Sequence, residues 1–106
     1  MYIPKEASKR QDWDKVKSWN YKLPHLQPKI SVVYAEVVGE HGEVTTKELE
    51  WVYYIIDGEG EFIINGQKQA VKKDDVITVP AHTLYNYIGS ESNPLKVVMF
   101  IDLWDN

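Results

Sequence analysis

From Ile30 onward the chain alternates short apolar runs with clusters of turn-forming residues. Ser31–Val38 (SVVYAEVV) is rich in β-branched and aromatic residues and has the length of one strand. Trp51–Ile56 reads as a second strand, and Asp57-Gly58 with Glu59-Gly60 marks a turn. EFII and QKQAV then flank Asn65-Gly66. That is a strong hairpin signal, because both central residues of a type I′ turn need a positive φ. Lys72–Asp75 is a polar turn, Asp75–Val79 a strand stopped by Pro80, Thr83–Ile88 alternates, and Leu95–Leu103 is a last apolar strand. About seven short strands at roughly 8–12-residue spacing, with no helical period, predict an all-β sandwich or barrel. Residues 1–29 lack this alternation, and Pro4, Pro24 and Pro28 interrupt helix and strand alike. Ser8 could cap a short helix, and VKSWNYKL (16–23) would equally make an edge strand; the pattern leaves both open. The expected organisation is an irregular N-terminal arm over 1–29 and a barrel over 30–106.

The 106 residues suffice for one domain with one core. Cysteine is absent, which excludes a disulfide framework, a thiolate zinc site and a thiol nucleophile, and suits a reducing cytoplasm. The first residues are polar, so no secretory leader is expected, and no apolar run approaches the ~20 residues of a membrane span. A cytoplasmic protein without membrane contact is the expectation. The net charge is −4 and Arg10 is the single arginine, which argues against a nucleic-acid partner. Four Trp and seven Tyr stand against two Phe. Residues with an apolar body and a polar tip suit a wet pocket or an interface, although small β domains also use them as ordinary strand residues. The open strand edges of an isolated barrel predict a homodimer.

Gly39–Gly58 (GEHGEVTTKELEWVYYIIDG) resembles the first motif of the cupin family, G-x5-H-x-H-x3-E-x6-G. Both glycines are in register, but the His, His and Glu positions hold Thr45, Lys47 and Trp51. The second motif, G-x5-P-x-G-x2-H-x3-N, aligns with Asp74–Gly89: Pro80 matches, Asp74 and His82 replace glycines, Tyr85 replaces the His and Gly89 the Asn. The hairpin YYIIDGEGEFIING is similar to one common in the family. The resemblance covers about residues 30–103 and implies a double-stranded β-helix (jelly-roll) barrel. The family's metal is not expected. An alcohol, an ammonium, a donor-only indole and a phenol are poor partners for a divalent ion, and no one-residue shift of register restores two His and a carboxylate. No other cofactor is implied.

Residues two apart on a strand share a face. If Trp51 faces inward, so does Tyr53, and Tyr85 goes with Tyr87. Thr45, Lys47, Trp51, Tyr53, Tyr85 and Tyr87 would then line one cavity, able to stack a ring-containing ligand, sugar-like or anionic, with Lys47 at the mouth. The alternative is that the aromatics fill the space left by the metal, giving a structural barrel, with Lys47 snorkelling to water. A third reading is a metal-independent isomerase or epimerase of the kind the resemblance includes, with His82 and Tyr85 as candidate acid–base groups. His82 would equally be a turn residue at positive φ. His41 and Glu43, in a Gly-rich loop, receive no role.

Overall fold

The computed structural model describes residues 1–103. Ten strands follow one 3₁₀ turn at Lys5–Ala7: β1 Lys9–Trp13, β2 Val16–Leu23, β3 Ile30–Val37, β4 Val44–Thr45, β5 Trp51–Asp57, β6 Glu59–Ile64, β7 Gln67–Lys72, β8 Val76–Val79, β9 Leu84–Gly89 and β10 Leu95–Asp102. They form a six-stranded sheet ordered β1-β2-β3-β10-β5-β8 and a four-stranded sheet ordered β4-β9-β6-β7. All pairings are antiparallel. This is the jelly-roll barrel that the strand spacing and motifs imply. The last three residues of the expected barrel, 104–106, lie outside the described residues.

The apolar alternation places the core between the sheets. In β3 every second residue, Ser31, Val33, Ala35 and Val37, is buried, and in β10 Leu95, Val97, Met99 and Ile101 are. Trp51, Tyr53 and Ile55 do the same on β5, and Phe62, Tyr85 and Tyr87 close the core from the second sheet. The turns follow their chemistry. Asn65 and Gly66 have φ of 51° and 78°, as a type I′ hairpin requires. Asp74 and His82, at the motif's glycine positions, both keep the left-handed conformation, with φ of 72° and 54°. Gly58 needs its hydrogen: φ is +85°, and a Cβ there would lie 1.9 Å from the Pro94 carbonyl oxygen.

Residues 1–29 differ from the irregular arm expected. VKSWNYKL is a strand, but not at an edge: β2 pairs with β1 on one side and with β3 on the other. No α-helix follows Ser8; its hydroxyl instead donates to the Lys5 carbonyl at 2.6 Å. The apolar signal was weak for two reasons. β1 is mostly exposed. The inward positions of β2 are Val16, Ser18 and Asn20, two of them polar.

Candidate functional site

One end of the barrel opens into a cavity of about 460 Å³. That lies within the ~300–1,000 Å³ of small-molecule sites. All six residues expected to share a face line it: Thr45, Lys47, Trp51, Tyr53, Tyr85 and Tyr87. They are joined by His41 and Trp13 on one side and by Ser18, Asn20, Val33, Ala35 and Met99 across the large sheet. Two more open hollows on the outer surface hold neither histidine nor aromatic side chains.

The aromatic wall comes from strand pairing. β9 lies beside β6 with Tyr87 opposite Phe62, so their rings stack at 4.7 Å, 4° from parallel. Tyr53 meets Phe62 and Tyr87 edge-on, at 5.0 and 5.5 Å. The Tyr53 and Tyr85 hydroxyls hydrogen-bond to each other. The Tyr87 hydroxyl is buried beside the hydroxyls of Tyr53 and Tyr85, yet it completes no hydrogen bond. A buried hydroxyl without a partner is costly, and a ligand oxygen or nitrogen beside it would remove that cost. Burial pushes all three phenols well above their ordinary range. They therefore stay protonated and offer O–H donors.

Trp51 and Tyr85, at two of the motif's ligand positions, are packed against each other in the core. Trp51 packs edge-on to Tyr85 at 6.0 Å, and its indole N–H donates to Asp102 Oδ1 at 2.7 Å. The donor set does not fit a metal ion. The indole N–H is a donor and already engaged, Lys47 is cationic, and burial opposes the deprotonation that Tyr85 would need as a ligand. Among the described residues no three or more His, Cys, Asp or Glu side chains converge on a point.

His41 is the residue that sequence reasoning missed. It sits on a loop sewn to β9. Its backbone N–H donates to the Tyr87 carbonyl at 2.8 Å, and Gly42 N–H donates to Asn86 Oδ1 at 2.9 Å. Asn86 Nδ2 in turn donates to Glu40 at 3.0 Å. From the other side Trp13 Nε1 donates to the His41 carbonyl at 3.1 Å. The imidazole stacks on Tyr87 at 4.4 Å and takes Trp13 edge-on at 5.1 Å. Its Nδ1 lies 3.0 Å from the Gly42 carbonyl. That oxygen can only accept, so Nδ1 carries the proton and Nε2 keeps the lone pair in the neutral ring. Burial lowers the His41 pKa, and the Gly42 contact offsets this only in part. A signal was present in the sequence: running the two-residue alternation back from Lys47 and Thr45 reaches Glu43 and His41, and all four line the cavity.

His82 is not brought to the cavity. It occupies a turn, its side chain is 67% exposed, and its Nε2 lies 3.5 Å from the still more exposed Glu48 carboxylate. The geometry is that of a turn residue on the surface.

The family model described as Cupin domain matches residues 37–101. Among solved structures, the barrel is similar to Pac13 from Streptomyces, described as a nucleoside dehydratase. The TM-score is 0.81 at 24% identity, covering 99% of this chain and 84% of that one. Variants of that protein, one with a histidine replaced by glutamine and two with a tyrosine replaced by phenylalanine, have been solved with uridine. Those two tyrosines are spaced along that chain as Tyr53 and Tyr87 are along this one, and the histidine precedes them nearly as His41 does. The barrel is also similar to a protein from Thermotoga maritima described as a predicted oxalate decarboxylase (TM-score 0.79, 18% identity, 98% and 100% coverage). A third is KdgF from Halomonas sp. (0.76, 16%, 99% and 96%). No curated protein matches the chain at the sequence level.

Proposed function

The chain belongs to the cupin domain family, and on that scaffold we propose that it binds a nucleoside-like molecule in the barrel cavity and acts on it by metal-independent acid–base chemistry. The observation that carries this reading is His41. It is a neutral imidazole fixed by its Nδ1 contact, stacked on a buried tyrosine at the wall of a ligand-sized cavity. The histidine and tyrosine spacing of the Streptomyces dehydratase supports the choice of ligand class.

The reaction this arrangement suits is elimination of water from a nucleoside whose sugar bears a carbonyl next to an acidic C–H. His41 Nε2 takes the carbon-bound proton. The electron pair forms the new C=C bond as the β-hydroxyl departs, and His41 returns the same proton to that leaving oxygen, which is released as water. The phenols, held protonated, serve better as donors to the oxyanion developing on the carbonyl than as proton sources. The enzyme ends in its starting protonation state.

Calorimetric titration and thermal shift with uridine test the binding half. Saturable binding with a raised melting temperature is expected; absence of both up to millimolar uridine would overturn the nucleoside reading. Lys47 gives a second test. It is exposed at the cavity rim, where an anionic substituent of the ligand would meet it. Uridine 5′-monophosphate should bind more tightly than uridine, and Lys47→Met should remove about a fivefold share of that affinity. An exposed ion pair is worth at most ~1 kcal/mol. Equal affinity of the variant and the native protein for the monophosphate would assign the rim no role in charge recognition.

A further inference from the structure

We infer that Asn20 is a specificity residue whose side-chain oxygen, fixed as an acceptor in the cavity wall, selects a heterocycle that presents an N–H over one that presents a bare ring nitrogen or a C–H. This rests on the nucleoside reading of the cavity and names which ring edge it takes.

Asn20 lies on the inner face of β2, lines the cavity and is only 6% exposed. Side-chain amides can ordinarily present either end, but here the hydrogen bonds around it decide the orientation. Nδ2 donates to the Lys9 carbonyl at 3.0 Å and to Ser18 Oγ at 3.2 Å. The Lys9 carbonyl can only accept. Ser18 has one hydroxyl hydrogen and gives it to the Gln11 carbonyl at 2.5 Å, so towards Asn20 it too can only accept. Both neighbours demand the NH₂ end, and rotating the amide by half a turn would set two oxygens against its own. Oδ1 is thereby fixed as the acceptor end of an amide that lines the cavity. Towards β3 and β10 the adjoining wall is apolar: Val33 stands directly opposite on β3, and Met99 follows on β10.

A fixed acceptor in an apolar wall discriminates by what it meets. Sugar hydroxyls rotate to donate or accept, so they satisfy it without being selected. Ring edges cannot rotate. The imide N–H of a uracil-type ring completes the hydrogen bond. The ring nitrogen lone pair of a cytosine-type ring opposes it, and a C–H takes the place of water at the acceptor without replacing its hydrogen bond. The strand positions also separate the two functions. Asn20 is on β2 and Tyr53 on β5, with β3 and β10 between them, or about 14 Å along the sheet at ~4.8 Å per strand. One molecule with a heterocycle at one end and a reacting sugar at the other spans such a distance.

The test is calorimetric binding of uridine, cytidine and the 2-pyridone ribonucleoside, which has C–H in place of the uracil N–H, to the native protein and to Asn20→Leu. Uridine should bind the native protein about tenfold or more tightly than either analogue, and the leucine variant should bind all three alike. If the native protein binds all three alike, the role of Asn20 is overturned while the nucleoside reading stands. If discrimination persists in Asn20→Leu, another group reads the ring and the inference is likewise overturned. If no nucleoside binds, the nucleoside reading fails and this inference with it. Should the leucine variant not fold, Asn20→Ser withdraws the acceptor with less change in polarity and should erase the same preference.

Discussion

Replacing His41 by glutamine should lower turnover of a carbonyl-bearing nucleoside by about two to four orders of magnitude, the usual contribution of a positioned acid–base group. Glutamine can still reach the Gly42 carbonyl with an N–H, so the loop held by Trp13, Asn86 and Tyr87 should keep its place. What it lacks is a nitrogen lone pair that can take a proton. Binding of uridine should change far less than turnover. A substrate deuterated at the acidic carbon should turn over more slowly than the protio form in the native enzyme, which reads the proton-transfer step directly. A variant that turns over normally would remove His41 from the chemistry.

The native enzyme should also show a pH signature. Burial lowers the His41 pKa from its ordinary 6.5, so the neutral, basic form persists below that pH. The acid limb of kcat/KM should fall below 6.5. The same shift has a stability consequence. The folded state resists protonating His41 while the unfolded chain accepts the proton, so this contribution to stability is full above 6.5. It is lost progressively as pH drops from there towards the lowered folded value.

Phe62→Ala should cost about 3–5 kcal/mol, the range for removing a large buried aromatic. Phe62 is fully buried on β6 and supports three tyrosines at once: Tyr87 stacked at 4.7 Å, Tyr53 edge-on at 5.0 Å and Tyr85 parallel at 6.5 Å. Truncation leaves a void behind the aromatic wall that the strand ladder cannot close, because β6 is held between β7 and β9. At about 4–8 °C per kcal/mol for a domain of this size, the melting temperature should fall by roughly 12–40 °C. Phe62→Leu should lose much less, since it keeps most of the volume. A thermal melt of the two variants measures both; a shift of only a few degrees for Phe62→Ala would mean that the tyrosines collapse into the gap. Because Tyr87 carries the imidazole of His41 on its other contact, at 4.4 Å, the alanine variant should also lose ligand affinity.

Much of the barrel was legible because its strands are paired on one face with a dry core. Alternation in β3, β5 and β10 follows directly from that. So does the inward set Trp51, Tyr53, Tyr85 and Tyr87, since the period of two leaves no other choice once one member is buried. The positive φ values at Asp74 and His82 match the motif's glycine positions and explain how the scaffold survives without those glycines. The first thirty residues were illegible for a physical reason. β2 faces the open end of the cavity rather than the core, so Ser18 and Asn20 stand where alternation would call for apolar side chains.

The all-β architecture, the turns and the poor fit of Thr45, Lys47, Trp51 and Tyr85 to a metal can be read along the chain, because each depends on local period, local φ or the donor chemistry of single residues. The site arises from contacts between strands. His41 gains its meaning from a loop fastened to β9 and from Trp13, 28 residues earlier in the chain. Asn20 becomes a one-ended acceptor only when β1 brings the Lys9 carbonyl to it and the Gln11 carbonyl to its neighbour Ser18. Such properties depend on groups that meet across strands, and no pattern along one strand encodes which partners the fold will supply.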